Sequence, residues 1–569
     1  MADDTAFDVV VLGTGLTESI AAAALAKAGF KVAQIDVNEY YGSDQASLAA
    51  DELATWADTR PTSSSATSYS ISRSGDVPPF ARHYSLSLAP ALLPSTGPFL
   101  SALISSGVSR YGAYRLLERV AVFDNGALRA VPASKEDVFK ASELSLLDKR
   151  RLMRFLTFAA GEFEGKQELA GKETMPFVEF LNSTYSLGDK LAHAIAYALA
   201  FCASADEPTL PSLTRLRAYL RSSGRYGPSP FLVGHYGGLG EIAQGFCRAA
   251  AVAGAVYILG RSSIDVERTE DGRYSFKLND IPDTLTADIL LSAPDILPKN
   301  LETPPPRADG ASLSEVEAVA RAVLILDGPL AFPSTSASSS SAAEETADGV
   351  DACEEESEKT VDTVVVVFPP GALPGGSQDA AVHAFITGQG TMSAPAGKFV
   401  LYLSTPAPAG TDSESDARSL LAPYVDALLS TTPSPPTRSF ELFYIQRSSL
   451  VAPLDASASS TSTTTQTLFT TPPLPLRGLA TAPDAAATNA ESLFFDIARS
   501  LKTIRPDHAV FTPAEDGEDD KEEGQKAVES DVQASVGEAE GGAGKDQFSE
   551  LELRFWPPVP TQDEDDDEF

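Results

Sequence analysis

The sequence predicts a mixed α/β fold in which a βαβ domain is interrupted by an all-helical domain. The first observation is an apolar run at residues 7–12, followed by Gly13-Thr14-Gly15, an alanine-rich stretch and a second apolar run at residues 31–36. This order is typical of a βαβ unit that opens a dinucleotide-binding fold. The second observation is a helical block at residues 135–223, after which strand-like patterns return. Together they indicate an FAD/NAD-binding-like domain with an inserted all-helical domain.

The chain is predicted to divide into four parts. Residues 1–130 form the first part of the dinucleotide-fold domain, with a loop insert at about 57–77, and residues 131–223 form the helical domain. Residues 224–512 complete the first domain and carry two inserts that we expect to be disordered, at about 334–359 and 457–465. Residues 513–569 are predicted to be an acidic disordered tail. Later strands are expected at the apolar runs 256–259, 289–291, 322–325, 364–368, 399–403 and 440–445, and a last helix at 490–501.

The charge distribution excludes several classes of function. The net charge is −36, of which −16 lies in residues 514–569 and −7 in residues 344–359. A protein that binds nucleic acid or an anionic membrane surface needs clustered Lys and Arg, so neither partner is expected. The sequence has no run of about 18 apolar residues and no basic leader, which predicts a cytosolic protein. Three distant cysteines and five histidines without ligand spacing predict no disulfide and no zinc site.

The glycine loop has lost one of its usual residues. Gly13 and Gly15 lie at the predicted turn from strand to helix, and Asp36 follows the second strand, where an acidic residue would meet a ribose hydroxyl. Glu18 occupies the position of the third glycine. A carboxylate there adds negative charge beside the phosphates and prevents close packing of helix and strand. We therefore predict a degenerate loop that holds no dinucleotide cofactor.

Two sequence blocks are distinctive. The first comprises residues 9–19 (VVVLGTGLTES) and 36–42 (DVNEYYG), and the second comprises residues 224–231 (GRYGPSPF) and 236–248 (YGGLGEIAQGFCR). Both blocks resemble the superfamily of Rab GDP-dissociation inhibitors and Rab escort proteins. Three further passages resemble the escort branch of the superfamily: residues 103–111 (LISSGVSRY), 131–139 (VPASKEDVF) and 151–158 (RLMRFLTF). The resemblance extends, with insertions, from about residue 7 to residue 501.

The resemblance implies an accessory protein that has no catalytic residues. Members of the escort branch bind GDP-state Rab GTPases and present them to the α/β heterodimer of Rab geranylgeranyltransferase. They then keep the geranylgeranyl lipid group in solution until transient delivery to a membrane. Burying a C20 chain, at about 0.8 kcal/mol per CH₂, requires an apolar pocket, which the family keeps in its helical domain.

The resemblance also implies specific site residues. Tyr41, Glu241 and Arg248 match the family's Rab-binding platform, and Glu241 and Arg248, seven residues apart, share one face if their segment is helical. The alternative is that they form an ordinary surface salt-bridge network. Phe158 matches a residue that contacts the transferase, and a basic residue expected a few turns on is assigned to Lys166. By helical phase Phe158 is either an exposed anchor, about 120° from its helix's apolar stripe, or is packed against a neighbouring helix.

Two alternatives remain open from the sequence. Within the superfamily, a general Rab GDP-dissociation inhibitor shares both sequence blocks. From a different class, an FAD-dependent oxidoreductase would use Gly13, Gly15 and Asp36 for its cofactor.

Overall fold

The computed structural model describes residues 5–60, 67–131, 144–261, 264–279, 281–301, 316–332, 361–408, 417–449, 465–511 and 553–556. The insert at 334–359, nearly all of the insert at 457–465 and most of the tail lie outside these ranges. Within them the α-helices span Leu16–Lys27 (α1), Ala50–Thr59 (α2), Pro98–Ser105 (α3), Leu146–Ala160 (α4), Phe177–Tyr185 (α5), Asp189–His193 (α6), Thr209–Ser222 (α7), Leu239–Val252 (α8), Ala417–Ser430 (α9) and Ala482–Ile504 (α10).

In the same ranges the strands form two large sheets and two small ones. In chain order they span Ala6–Leu12 (β1), Val32–Ile35 (β2), Ser47–Leu48 (β3), Thr67–Ser74 (β4), Leu86–Ser87 (β5), Leu93–Pro94 (β6), Tyr114–Leu116 (β7), Arg119–Asp124 (β8), Ala127–Ala130 (β9), Phe231–Gly234 (β10), Val256–Ile258 (β11), Ile264–Arg268 (β12), Tyr274–Leu278 (β13), Leu285–Ser292 (β14), Val316–Leu326 (β15), Thr363–Phe368 (β16), Val382–Thr387 (β17), Phe399–Pro406 (β18), Arg438–Ser449 (β19) and Leu468–Thr470 (β20).

The predicted βαβ unit forms the centre of the first sheet. The strand order is β11-β2-β1-β14-β13-β12, and β20 also pairs with β14. β1 runs parallel to both β2 and β14, so the unit β1-α1-β2 has the right connectivity for a dinucleotide-binding fold. Helix α1 packs between α8 and α10, and its residues from Leu16 to Ala26 are all buried. An alanine-rich helix with no polar face is suited to burial on every side.

The second sheet has the order β4-β19-β15-β18-β17-β16-β8-β9 and is antiparallel except where β16 lies beside β8. One face packs against helix α9, and the opposite face shares a hydrophobic core with the helices α4 to α7. These helices lie between β9 and β10 in the chain, which confirms a helical insertion, and no named strand lies in its described residues, 144–230. Ser145 caps α4 as predicted, because its Oγ accepts a hydrogen bond of 3.1 Å from the backbone N–H of Asp148.

Two expectations about irregular segments are wrong. The interval predicted as a loop at 57–77 contains the last turn of α2 and the edge strand β4, which pairs antiparallel with β19. Its serine-rich composition hides a two-residue alternation in which Tyr69 and Ile71 pack inward. The tail predicted as disordered contains a docked segment, residues 553–556, whose Leu553, Phe555 and Trp556 pack against the core of the first domain.

Candidate functional site

The glycine loop forms the turn that the sequence predicts. Gly13 lies between β1 and α1 with φ +104°, and a Cβ at this position would lie only 3.1 Å from the Cβ of Ala293. Glycine is therefore required for both the backbone conformation and the close approach. The turn presents the N-terminus of α1 at the edge of the sheet, the position at which dinucleotide folds hold a pyrophosphate.

Side chains of this protein occupy the positions that a dinucleotide would need. The Leu16 N–H at the start of α1 donates to Gln45 Oε1 at 3.2 Å, so Gln45 satisfies a group that would otherwise bind phosphate. A Cβ on Gly15 would collide with the Glu18 carboxylate, which therefore lies directly over the loop. The loop keeps the shape of a dinucleotide-binding turn, but the backbone N–H of Leu16 donates to a side chain of the same chain.

The Asp36 carboxylate also accepts its hydrogen bonds from groups of the same chain. Its buried carboxylate accepts hydrogen bonds from the N–H of Thr14 at 2.7 Å and from the Thr14 hydroxyl at 2.6 Å. Its other oxygen accepts from the backbone and side-chain N–H groups of Asn38, at 2.8 and 2.9 Å. With a further bond from the Ser43 hydroxyl at 3.2 Å, the carboxylate accepts five hydrogen bonds and has little capacity left for a ribose hydroxyl. In this chain Asp36 ties the glycine loop to the end of β2.

Glu18 makes the loop electrostatically unsuitable for a diphosphate. The pKa of Glu18 is raised to about 6, chiefly by burial and also by the nearby Asp36 and Asp295, against a hydrogen bond donated by Thr471. At neutral pH the group is mostly ionised and places a negative charge at the N-terminus of α1, where a phosphate would bind. The residues present therefore do not fit FAD or NAD.

The three residues predicted to form the platform, Tyr41, Glu241 and Arg248, lie on or beside α8. The turn after Tyr41 packs closely against the start of α8. A Cβ added to Gly42 would lie only 3.2 Å from the Cα of Gly240. Glu241 and Arg248 are two turns apart on one face of α8. In the described part of the chain neither makes a salt bridge.

Arg248 stacks on an aromatic ring that the sequence analysis did not single out. Its guanidinium lies 4.7 Å from the ring centroid of Tyr111, which is 42% exposed. This cation–π contact holds an exposed cation in a defined position. Glu241 is half-buried, which raises the pKa of its carboxyl group. Tyr111 ends the passage 103–111, so its resemblance was visible in the sequence, but its contact with Arg248 was not.

Tyr41 sits at the other end of the platform. Its ring meets the ring of Tyr257 edge-on, with centroids 6.0 Å apart, and partial burial raises its pKa. Behind these rings Cys247 is buried, with its thiol 3.3 Å from the hydroxyl of Ser19. Burial raises the pKa of Cys247 to about 11, so this thiol is not a nucleophile at neutral pH.

Phe158 is not the exposed anchor that its helical phase allowed. It is 7% exposed, and its ring packs against Tyr185, Phe163 and Phe180 at centroid distances of 5.5, 5.9 and 6.4 Å. Of the two alternatives, the structure shows the packed one, because α4 has a second buried face that packs against neighbouring helices of the insertion. Lys166 covers the ring, with its Nζ 5.4 Å from the centroid.

A surface groove of about 680 Å³ lies on the helical insertion. It is bounded by α5, the helical turn after α6 and the loop at Pro370, and its walls combine Val178 and Tyr197 with Glu179 and His193. This mixture differs from the apolar lining expected for a lipid chain. Among the described residues there is no cluster of metal-ligating side chains, and no helix there is long and apolar enough to cross a membrane.

The site defines a class: a dinucleotide-type scaffold whose cofactor positions are filled by its own side chains. The profile of the family described as GDP dissociation inhibitor matches residues 2–342. This chain belongs to that family.

Individual relatives agree with the family assignment. The chain is 30% identical over 409 residues to Rab proteins geranylgeranyltransferase component A of Saccharomyces cerevisiae, an alignment that covers 70% of this chain and 61% of the relative. It is 29% identical over 342 residues to the Rab GDP-dissociation inhibitor of the same yeast, covering 58% of this chain and 70% of the relative. Among solved structures, the Rab GDI of Plasmodium falciparum shares the fold, with a TM-score of 0.58 and 18% identity, covering 87% of this chain and 98% of that one.

Proposed function

We propose that this chain is a Rab escort protein, a non-catalytic accessory component of Rab geranylgeranyltransferase that works in the cytosol. The observation that carries the proposal is the degenerate cofactor loop within a family of GDP dissociation inhibitors. A scaffold that has given up its cofactor retains a rigid sheet and a helix face on which a partner can dock. The chain spans about three fifths of the length of the yeast geranylgeranyltransferase component A, so the complete escort cycle is part of the proposal.

Rab binding is assigned to the platform. Arg248 offers a cation held in place by Tyr111, and Glu241 offers a carboxylate on the same face of α8. Neither charge is neutralised by a salt bridge within the described part of the chain, so both remain able to pair with a partner's charges. Charge-assisted hydrogen bonds across such a surface are worth roughly 1.5–3 kcal/mol each. Tyr41 extends the surface toward the glycine loop.

The lipid is assigned to the helical insertion. Its interior contains a group of aromatic rings whose centroids lie 5.5–6.4 Å from that of Phe158. A geranylgeranyl chain that entered among these rings would have to part the helices α4 and α5, which carry Phe158, Phe180 and Tyr185. The free energy gained from burying the chain, about 0.8 kcal/mol per CH₂, is large enough to drive such an opening.

The transferase contact is also assigned to the insertion, near α4. Phe158 is buried, so in this conformation it supports the surface from beneath, while Lys166 lies over its ring and is exposed. We propose that Phe158 reaches the transferase only after the lipid or the transferase has opened the helices. Phe158 then couples lipid uptake to transferase binding.

Reconstituted prenylation tests the function. Unprenylated Rab–GDP, the transferase heterodimer and geranylgeranyl diphosphate are combined with and without this chain, and transfer is followed by the mass of the Rab. We expect modification only when the chain is present. Arg248→Ala should reduce the rate at limiting concentration, while Lys502→Ala, an exposed substitution on α10, serves as the matched control. Absence of transfer with a folded chain would refute the escort proposal.

A general GDP-dissociation inhibitor is the second candidate, because the alignment with the yeast inhibitor covers 70% of that protein. Such a protein extracts prenylated Rab–GDP from membranes but does not support transfer onto unprenylated Rab. Extraction without transfer in the same reconstitution would therefore select the inhibitor over the escort protein.

A further inference from the structure

The acidic tail carries a docked aromatic segment. The ring of Phe555 lies 5.6 Å from that of Phe494 on α10, and the ring of Trp556 lies 6.0 Å from that of Phe246 on α8. The two tail rings are themselves 5.0 Å apart. Leu553 packs against the same core. We call residues 553–556 the C-terminal segment.

The surface that receives this segment is formed by two helices that flank α1. Helices α8 and α10 each pack against α1, and the C-terminal segment contacts one aromatic residue of each. Phe246 and Phe494 have no solvent exposure when the segment is in place. The Trp556 indole N–H is buried without a hydrogen-bond partner in the described part of the chain, so apolar contact holds this ring. We call this surface the α8–α10 groove.

We infer that the α8–α10 groove is a peptide-binding site whose ligand is this chain's own C-terminal segment. Residues 512–552, which connect the last turn after α10 to the segment, number 41 and carry a net charge of −11. The contacts that the structure describes between the tail and the first domain are made by Leu553, Phe555 and Trp556. The ligand class is therefore an aromatic pair flanked by acidic sequence.

A ligand that belongs to the same chain competes with any added peptide for the groove. We therefore expect a free peptide to bind the wild type more weakly than it binds a chain whose C-terminal segment has lost its aromatic rings.

Docking of the segment leaves the platform uncovered. Phe246 and Arg248 are two positions apart on α8, so their side chains project in directions about 160° apart. The segment contacts the first, and the platform contains the second. The inference does not depend on the proposed Rab binding, since the groove and its ligand both belong to this chain.

Tryptophan fluorescence tests whether the segment is docked in solution. The chain has two tryptophans, and Trp56 is 5% exposed. Subtracting the emission of Trp556→Phe from that of the full-length wild type isolates the signal of Trp556. We expect acrylamide to quench this signal at least threefold more slowly than it quenches a synthetic peptide of residues 549–560. Equal quenching in the chain and the peptide would overturn the inference.

Competition by the same peptide tests the groove itself. Fluorescein-labelled peptide 549–560 should bind full-length Phe555→Ser/Trp556→Ser, whose groove is vacated, and should bind the wild type at least tenfold more weakly. The matched control is a peptide carrying the same two serines, which should bind neither chain. Binding of the labelled peptide to neither protein, or equally to both, would overturn the inference, as would equal binding of the control peptide.

Discussion

Replacing Glu18 by glutamine measures how much the buried, ionised carboxylate in the degenerate loop lowers the free energy of unfolding. Burial raises the pKa of Glu18 from 4.5 to about 6, so the folded state holds the proton more tightly than the unfolded state does. The contribution of this group to stability is fully present below pH 4.5 and is lost as the pH rises through about 6. At 1.36 kcal/mol per pKa unit the loss amounts to about 2 kcal/mol at pH 7.5 and under about 1 kcal/mol at pH 5.

Glutamine is neutral at every pH and keeps an oxygen that can accept the hydrogen bond of Thr471. We therefore expect Glu18→Gln to raise the free energy of unfolding by about 1–2 kcal/mol at pH 7.5 and by less than half of that at pH 5. Urea denaturation at the two pH values measures both quantities. The control is Glu179→Gln, an exposed acid on α5, for which we expect a change within about 0.5 kcal/mol. A Glu18→Gln effect that is destabilising, or equal at both pH values, would refute the reasoning.

Three further outcomes are expected. Arg248→Ala should weaken Rab–GDP binding by roughly 1.5–3 kcal/mol in titration calorimetry without lowering the melting temperature, and an unchanged affinity would remove it from the platform. Phe158→Ala should cost about 3–5 kcal/mol of stability in urea denaturation, whereas Leu146→Ala, at 86% exposure on the same helix, should cost less than about 0.5 kcal/mol. Mass spectrometry of natively purified protein should find no stoichiometric FAD or NAD; finding either would contradict the account of Glu18.

Elements with strong local signals were predictable from the sequence. The βαβ unit is marked by two apolar runs and a glycine turn, and the start of α4 is marked by Ser145 and Asp148, whose hydrogen bond the structure confirms. The degenerate nature of the loop was also visible, because it needs only Glu18 and its neighbours. In each of these cases the residues that determine the local structure lie within a few positions of one another or within one supersecondary unit.

Contacts made across long stretches of chain were not predictable. Thr471 donates to Glu18 across 453 positions, and Arg248 meets Tyr111 only because two separate passages pack together. Helical phase gave the direction of Phe158 but not the helices that cover it. In the tail, the high net charge predicted disorder for the whole segment. A prediction from average composition misses the two aromatic residues, Phe555 and Trp556, that pack against the first domain.

Helix α8 serves two surfaces, and this arrangement leads to a final prediction. Arg248 projects from one side and Phe246 from the opposite side, where it meets Trp556. A rigid helix transmits no change between two such sites unless it shifts, and substitutions without shared partners usually add within about 0.3–0.5 kcal/mol. We therefore expect Phe555→Ser to leave Rab–GDP affinity unchanged, and Arg248→Ala to leave the acrylamide quenching of Trp556 unchanged.

The double variant completes this test. Its Rab–GDP affinity should equal that of Arg248→Ala, and its Trp556 quenching should equal that of Phe555→Ser, in titration calorimetry and in fluorescence respectively. An interaction energy above about 0.5 kcal/mol in the cycle would show that release of the C-terminal segment moves α8. That result would contradict the independence of the two faces and would make the tail a regulator of the platform.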